Sequence, residues 1–161
     1  MSRMGFEMDL QLVITLTERM AVIAVVAYIF TRTRLFRSLL QGSMSLRQRL
    51  YLALFFGLLS ISGTYLGVPI KGAIANSRVI GAGIAGLLGG PMVGLIAGLM
   101  GGIHRYFVGG FTAFACGLST TVEGLAAGLI RHFLKTYRVG WPLAFATGVI
   151  TEAMQMGIII A

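Results

Sequence analysis

The apolar residues of this chain are gathered into runs long enough to cross a bilayer, and that constrains its fold more than any other feature. A spanning helix needs ~20 apolar residues, with a range of ~17–25. Four runs reach that length: residues 10–30, 50–67, 111–130 and 142–161. Of the 161 residues, 57% are hydrophobic and only 11% charged, whereas soluble domains carry about 25% charged residues. The mean hydropathy is +0.88. A soluble globular domain is excluded on these grounds. The net charge of +8 does not point to nucleic acid. Its positive residues sit between the apolar runs, where a membrane protein keeps them. One cysteine and two separated histidines supply neither a disulfide framework nor a metal-ligand set. No metal, cofactor or catalytic residue is expected. The expected class is all-α, a polytopic membrane helix bundle in one domain.

The stretch from Val79 to Ile103 is uncharged but carries Gly89-Gly90-Pro91 near its middle. Proline removes a helical hydrogen bond and clashes with the preceding turn, and adjacent glycines weaken the same place. Either one kinked helix or a hairpin of two short helices, about 79–88 and 91–103, fits the pattern. Charge decides between them. Arg32, Arg34, Arg37, Arg47 and Arg49 stand in one acid-free loop, which is cytoplasmic by the positive-inside rule. If 79–103 crosses once, the loop positives divide six inside and six outside. If it folds back, Arg105 stays outside while Arg131, Lys135 and Arg138 move inside, and the division becomes eight to four. The hairpin is therefore expected. The last run ends in Gly157-Ile158-Ile159-Ile160-Ala161 without a polar flank. The native protein is accordingly expected to continue into a further helix and cytoplasmic output domains.

The hairpin brings Arg78, at its start, and Arg105, just past its end, to one side of the membrane. Two readings apply. The arginines snorkel to the lipid headgroups, or they face one cavity and hold an anion between them. In the second case the planar guanidinium fork suits a carboxylate. The next helix offers Cys116, Ser119 and Glu123 at i, i+3 and i+7, which is one face. A thiol and a hydroxyl there can contact a bound carboxylate; otherwise Cys116 is a small buried residue and Ser119 bonds back to its own helix. An acid inside a membrane helix normally has a partner, and Arg105 or Arg19 are the candidates for Glu123. Glu18, Arg19 and Glu152 are further intramembrane charges, either a structural network or a proton path. Gly90, Gly94, Gly98 and Gly102 repeat on one face, in register with Ala82 and Gly86, as in close helix packing. Trp141, Tyr137 and Tyr51 read as interfacial anchors.

Several ordered motifs carry a resemblance. They are Asn76-Ser77-Arg78, Gly89-Gly90-Pro91, Gly101-Gly102-Ile103-His104-Arg105-Tyr106, Gly109-Gly110-Phe111-Thr112-Ala113 and Ser119-Thr120-Thr121-Val122-Glu123-Gly124. Together they resemble the LytS/YhcK-type five-transmembrane receptor module (5TMR-LYT) of bacterial sensor histidine kinases, over essentially the whole chain. Arg32–Phe36 and Thr151-Glu152-Ala153-Met154-Gln155-Met156 make it most similar to the pyruvate-sensing BtsS (YehU) branch. The resemblance implies a ligand site at Arg78, Arg105, Cys116 and Ser119, and a fold similar to the substrate-binding subunits of vitamin transporters. It also implies a place in the bacterial inner membrane, a homodimer formed through a full-length kinase, and a cognate response regulator.

The expected function is thus a membrane-embedded, non-catalytic sensory domain. It would bind a small carboxylate, pyruvate first, near the external face and signal to a cytoplasmic kinase. Two rivals stand beside it. One is a small-anion transporter or transporter subunit in which Glu18, Glu123 and Glu152 couple protons. The other is a sensor of membrane state in cell-wall control with no small ligand.

Overall fold

The computed structural model describes residues 3–40, 44–70, 73–75, 78–110, 112–134 and 140–160. The chain divides into two compact units, residues 1–38 and 39–161. The first holds the long helix α1 (Arg3–Thr31) and the start of the short helix α2 (Arg34–Leu40). Nineteen residues of α1, Val13–Thr31, are apolar enough to cross a membrane by length and composition. After α1 the chain turns at Thr33. The Thr33 hydroxyl accepts from the Phe36 amide at 3.4 Å, the N-cap arrangement threonine favours. Across that turn the Phe30 and Phe36 rings meet edge to face at 5.7 Å.

The second unit runs α3 (Leu46–Tyr65), β1 (Val68–Ile70), β2 (Ala73–Ala75), α4 (Arg78–Gly89), α5 (Pro91–Val108), α6 (Ala113–Leu134) and α7 (Trp141–Ile160). Ser45 opens α3 with a reciprocal capping box. Its hydroxyl accepts from the Gln48 amide at 3.4 Å while the Gln48 side chain accepts from the Ser45 amide at 2.9 Å. That satisfies two otherwise orphaned donors. The strands pair antiparallel, Val68 opposite Ala75.

Between α4 and α5 the helix is broken by one residue. Gly90 sits at φ +91°, a region that costs a side-chain-bearing residue and not glycine. Pro91 then takes the first helical position, where its missing N–H is no loss. The two helices lie side by side. A Cβ on Gly101, late in α5, would stand 3.6 Å from Cγ of Arg78, the first residue of α4. Helix α5 is central, packed on α3, α4 and α6, and α6 in turn touches α4 and α7.

The glycine register serves this packing. Gly94, Gly98 and Gly102 of α5 face Gly117, Thr120 and Gly124 of α6, and Gly86 of α4 meets Gly124 as well. A Cβ at Gly98 would lie 2.8 Å from the Thr120 carbonyl, and one at Gly117 2.7 Å from the Gly102 carbonyl. Backbones this close exclude side chains from the seam. They bring the polar residues of neighbouring helices within reach of one another.

Several features depart from the sequence expectation. Helix α2 and the strand pair form within stretches read as loops. Helix α5 continues past residue 103 to Val108, so Arg105 lies in its last turn rather than beyond it. Among the described residues two helices meet the length and apolarity of a membrane span, Val13–Thr31 and Ala113–Leu134. Helix α3 begins with Arg47 and Arg49 and closes through Ser60, Ser62 and Thr64, which lowers its mean hydropathy. Tyr137, Lys135, Arg138 and the side chains of Trp141 and Glu152 lie outside the described residues. The exterior of the second unit is apolar. Phe107 is 81% exposed, and Phe114, Phe133 and Phe145 are also largely exposed. A surface of that kind marks contact with a membrane or a partner.

Candidate ligand site

Arg78 opens α4 and is buried, at 1% exposure. Polar residues of α3 fix it. The Ser60 hydroxyl donates to the Arg78 carbonyl at 3.0 Å, and Arg78 Nη1 donates to the Thr64 hydroxyl at 3.4 Å. Ser60 and Thr64 are one helical turn apart and so share a face. Gly101 of α5 leaves the room that the Ser60 side chain and the Arg78 stem occupy. Cys116, Arg105 and Glu123 lie close enough to the Arg78 guanidinium to act on it electrostatically.

Arg105 is buried in the last turn of α5, at 3% exposure. It donates through Nη1 to the Gly109 carbonyl and through Nη2, at 3.5 Å, to the Thr112 hydroxyl. A cation over the last carbonyls of a helix is favourable, because the backbone dipoles leave partial negative charge there. Gly110, at φ +98°, lets the following loop close over the guanidinium; a Cβ there would stand 3.5 Å from Nη2.

Helix α6 supplies the opposite wall. Cys116, Ser119 and Glu123 lie on one face and are all buried, with Ser119 and Glu123 fully so. The Ser119 hydroxyl donates within its own helix, to the carbonyls of Ala115 at 2.9 Å and Cys116 at 3.2 Å. Its proton is thereby engaged, and only its oxygen lone pairs remain for a ligand. Thr120 also donates to the Cys116 carbonyl, at 2.8 Å.

The structure therefore gathers Arg78, Arg105, Cys116 and Glu123 from three helices, with Ser119 on the same α6 face. Glu18 is exposed and Arg19 half-buried on α1 in the separate first unit. The Glu152 backbone is in α7. Sequence reasoning missed the contributions of Ser60, Thr64 and Thr112. Only the Ser60/Thr64 spacing within an apolar run hinted at them. At the same end of the bundle the Tyr65 hydroxyl meets His104 Nε2 at 3.1 Å. Two apolar grooves, of about 250 and 350 Å³, lie elsewhere and are lined by none of these residues.

Chemically, the arrangement is two guanidiniums of like charge in a low-dielectric interior. Such a pair is costly to bury unless compensated. A carboxylate between them would be held by charge-assisted hydrogen bonds, with the thiol of Cys116 as a third contact.

The chain is similar to known proteins. The family model described as 5TMR of 5TMR-LYT matches residues 33–161. The sensor histidine kinase BtsS of Escherichia coli (strain K12) is 42% identical over 158 residues, covering 95% of this chain and 28% of BtsS. The sensor protein LytS of Bacillus subtilis (strain 168) is 37% identical over 169 residues, covering 94% of this chain and 28% of LytS. LytS of Bacillus cereus is 35% identical over 144 residues, 80% of this chain and 24% of that protein. The chain thus spans under a third of the length of these relatives. No solved structure matches it.

Proposed function

The chain belongs to the 5TMR-LYT family of sensor-kinase membrane domains, and from that premise we propose that it is a receptor for a small carboxylate. Pyruvate is the first candidate. Arg78 and Arg105 grip the carboxylate, the Cys116 thiol contacts a remaining oxygen, and Ser119 lines the pocket with its proton held by its own helix. The observation that carries this reading is the burial of two arginines from different helices around a shared polar centre. Snorkelling arginines would extend toward water; these two are enclosed.

The α4–α5 pair acts in this reading as a re-entrant Gly-Pro hairpin. Its open end, with Arg78 and Arg105, faces the outside of the cell. The chain spans the bacterial inner membrane several times, and its likeness to vitamin-transporter binding subunits lies in that hairpin beside a ligand pocket. Ligand draws the α4 and α5 ends toward Cys116 of α6. Because α6 also packs on α7, the shift passes toward a cytoplasmic kinase, which works as a homodimer and addresses a response regulator. Ligand can drive this only by binding one arrangement better than the other. Glu18, Arg19 and Glu152 serve as structural or coupling charges.

The test is equilibrium binding of labelled pyruvate to membranes containing the full-length protein, with unlabelled pyruvate as competitor. Saturable, displaceable binding is expected. Its absence would remove the carboxylate-receptor reading and leave a sensor of membrane state.

A further inference from the structure

Helix α3 reaches toward both arginines through its last two residues. Thr64 accepts from Arg78 Nη1 at 3.4 Å. Tyr65, the next residue and the last of α3, meets Nε2 of His104 through its hydroxyl at 3.1 Å, and the two rings lie 5.4 Å apart. His104 directly precedes Arg105 in the last turns of α5. One turn back, Gly101 of α5 leaves room for Ser60 of α3, which keeps the two helices close enough for the rings to meet. Nδ1 of His104 is enclosed and has no hydrogen-bond partner among the described residues, so the ring is held through Nε2. Tyr65 is 71% exposed. A hydrogen bond in that position exchanges readily for bonds with water and adds little to folding stability.

We propose that the Tyr65–His104 pair is a positioning latch for the carboxylate site. It ties the end of α3, which holds Arg78, to the end of α5, which carries Arg105, and so sets the separation of the two guanidiniums. The proposal rests on the carboxylate-receptor reading and deepens it. Two guanidiniums can share one carboxylate only at a narrow range of separations. Binding constellations are held within about 0.5 Å by hydrogen bonds from residues behind the ones that touch the ligand. Tyr65 and His104 act in that way, through the helices that carry the arginines.

The bonding atom makes the latch testable. A glutamine side chain places its amide where histidine has Nε2, whereas asparagine places it nearer Nδ1. The measurement is binding of labelled pyruvate to membranes of the full-length protein at matched levels. A neutral hydrogen bond corresponds to about three- to tenfold in affinity. Tyr65→Phe, which keeps the ring and drops the hydroxyl, should weaken binding by about that factor, and His104→Asn should do the same. His104→Gln should bind as wild type does. In a Tyr65→Phe background His104→Gln and His104→Asn should bind alike, because the hydroxyl they would address is gone. The unfolding temperature of Tyr65→Phe in detergent, without pyruvate, should match wild type. Unchanged affinity in Tyr65→Phe overturns the proposal, and so does an equal loss in His104→Gln and His104→Asn. Loss of affinity accompanied by a lowered unfolding temperature also overturns it, since the pair is then a brace of the fold. Failure of wild type to bind pyruvate defeats the carboxylate reading itself. Tight pyruvate binding that none of these substitutions alters defeats only the latch.

Discussion

Arg78 and Arg105 are enclosed to a degree that arginine rarely tolerates without a compensating charge, and each is held in place before any ligand arrives. Thr64 and the Ser60 contact at the Arg78 backbone hold one; Thr112 and the Gly109 carbonyl hold the other. Lysine at either position keeps the charge and loses the planar fork. Arg105→Lys is therefore expected to bind pyruvate more weakly than wild type and more tightly than Arg105→Ala, in the same membrane binding assay. Ser119 is different, since its proton is already donated within α6. A neutral hydrogen bond contributes about 0.5–1.5 kcal/mol, and only the lower end of that range is at stake. Ser119→Ala should weaken binding about two- to threefold, and a loss beyond about tenfold would mean that the hydroxyl turns toward the ligand.

At the scale of elements, glycines decide how closely α4, α5 and α6 approach. A side chain at Gly94 would run into the Gly124 carbonyl, whereas the space beside Gly83 is open. Overpacking typically costs about 1–3 kcal/mol, so Gly94→Val should lower the thermal unfolding temperature in detergent. Gly83→Ala should hold or raise it, because alanine is up to about 1 kcal/mol better than glycine in a helix. Arg131 makes a second kind of tie, donating to the Leu87 carbonyl at 3.0 Å near the end of α4. Arg131→Ala should cost about 1 kcal/mol of stability while leaving pyruvate affinity unchanged, since it lies far from Arg78 along both helices. The break at Gly90 was legible beforehand because Gly-Gly-Pro is a local signal. The phase of Cys116, Ser119 and Glu123 was legible for the same reason, through helical periodicity. Ser60, Thr64 and Thr112 were not, because their partners are 7 to 18 residues away and depend on which helices meet. The end of α5 was placed too early because His104-Arg105-Tyr106 looks like a polar boundary. The helix in fact continues, with Arg105 over its own C-terminal carbonyls.

Across the whole chain, a receptor of this kind needs the open end of the α4–α5 pair to face one side of the membrane. Ser77→Cys and Val108→Cys, each in a Cys116→Ser background, should both react with an impermeant thiol reagent on intact cells. Reaction of the first from outside and of the second only from inside would replace the hairpin with a single crossing. We propose that two buried arginines, carried by different helices, hold one carboxylate. The most direct test is the affinity of labelled pyruvate for membranes bearing wild type, Arg78→Ala or Arg105→Ala at matched protein levels. A charge-assisted hydrogen bond contributes about 1.5–3 kcal/mol, so each substitution should weaken binding about ten- to hundredfold. Unchanged affinity in both variants would contradict the claim and return the two arginines to a purely structural role.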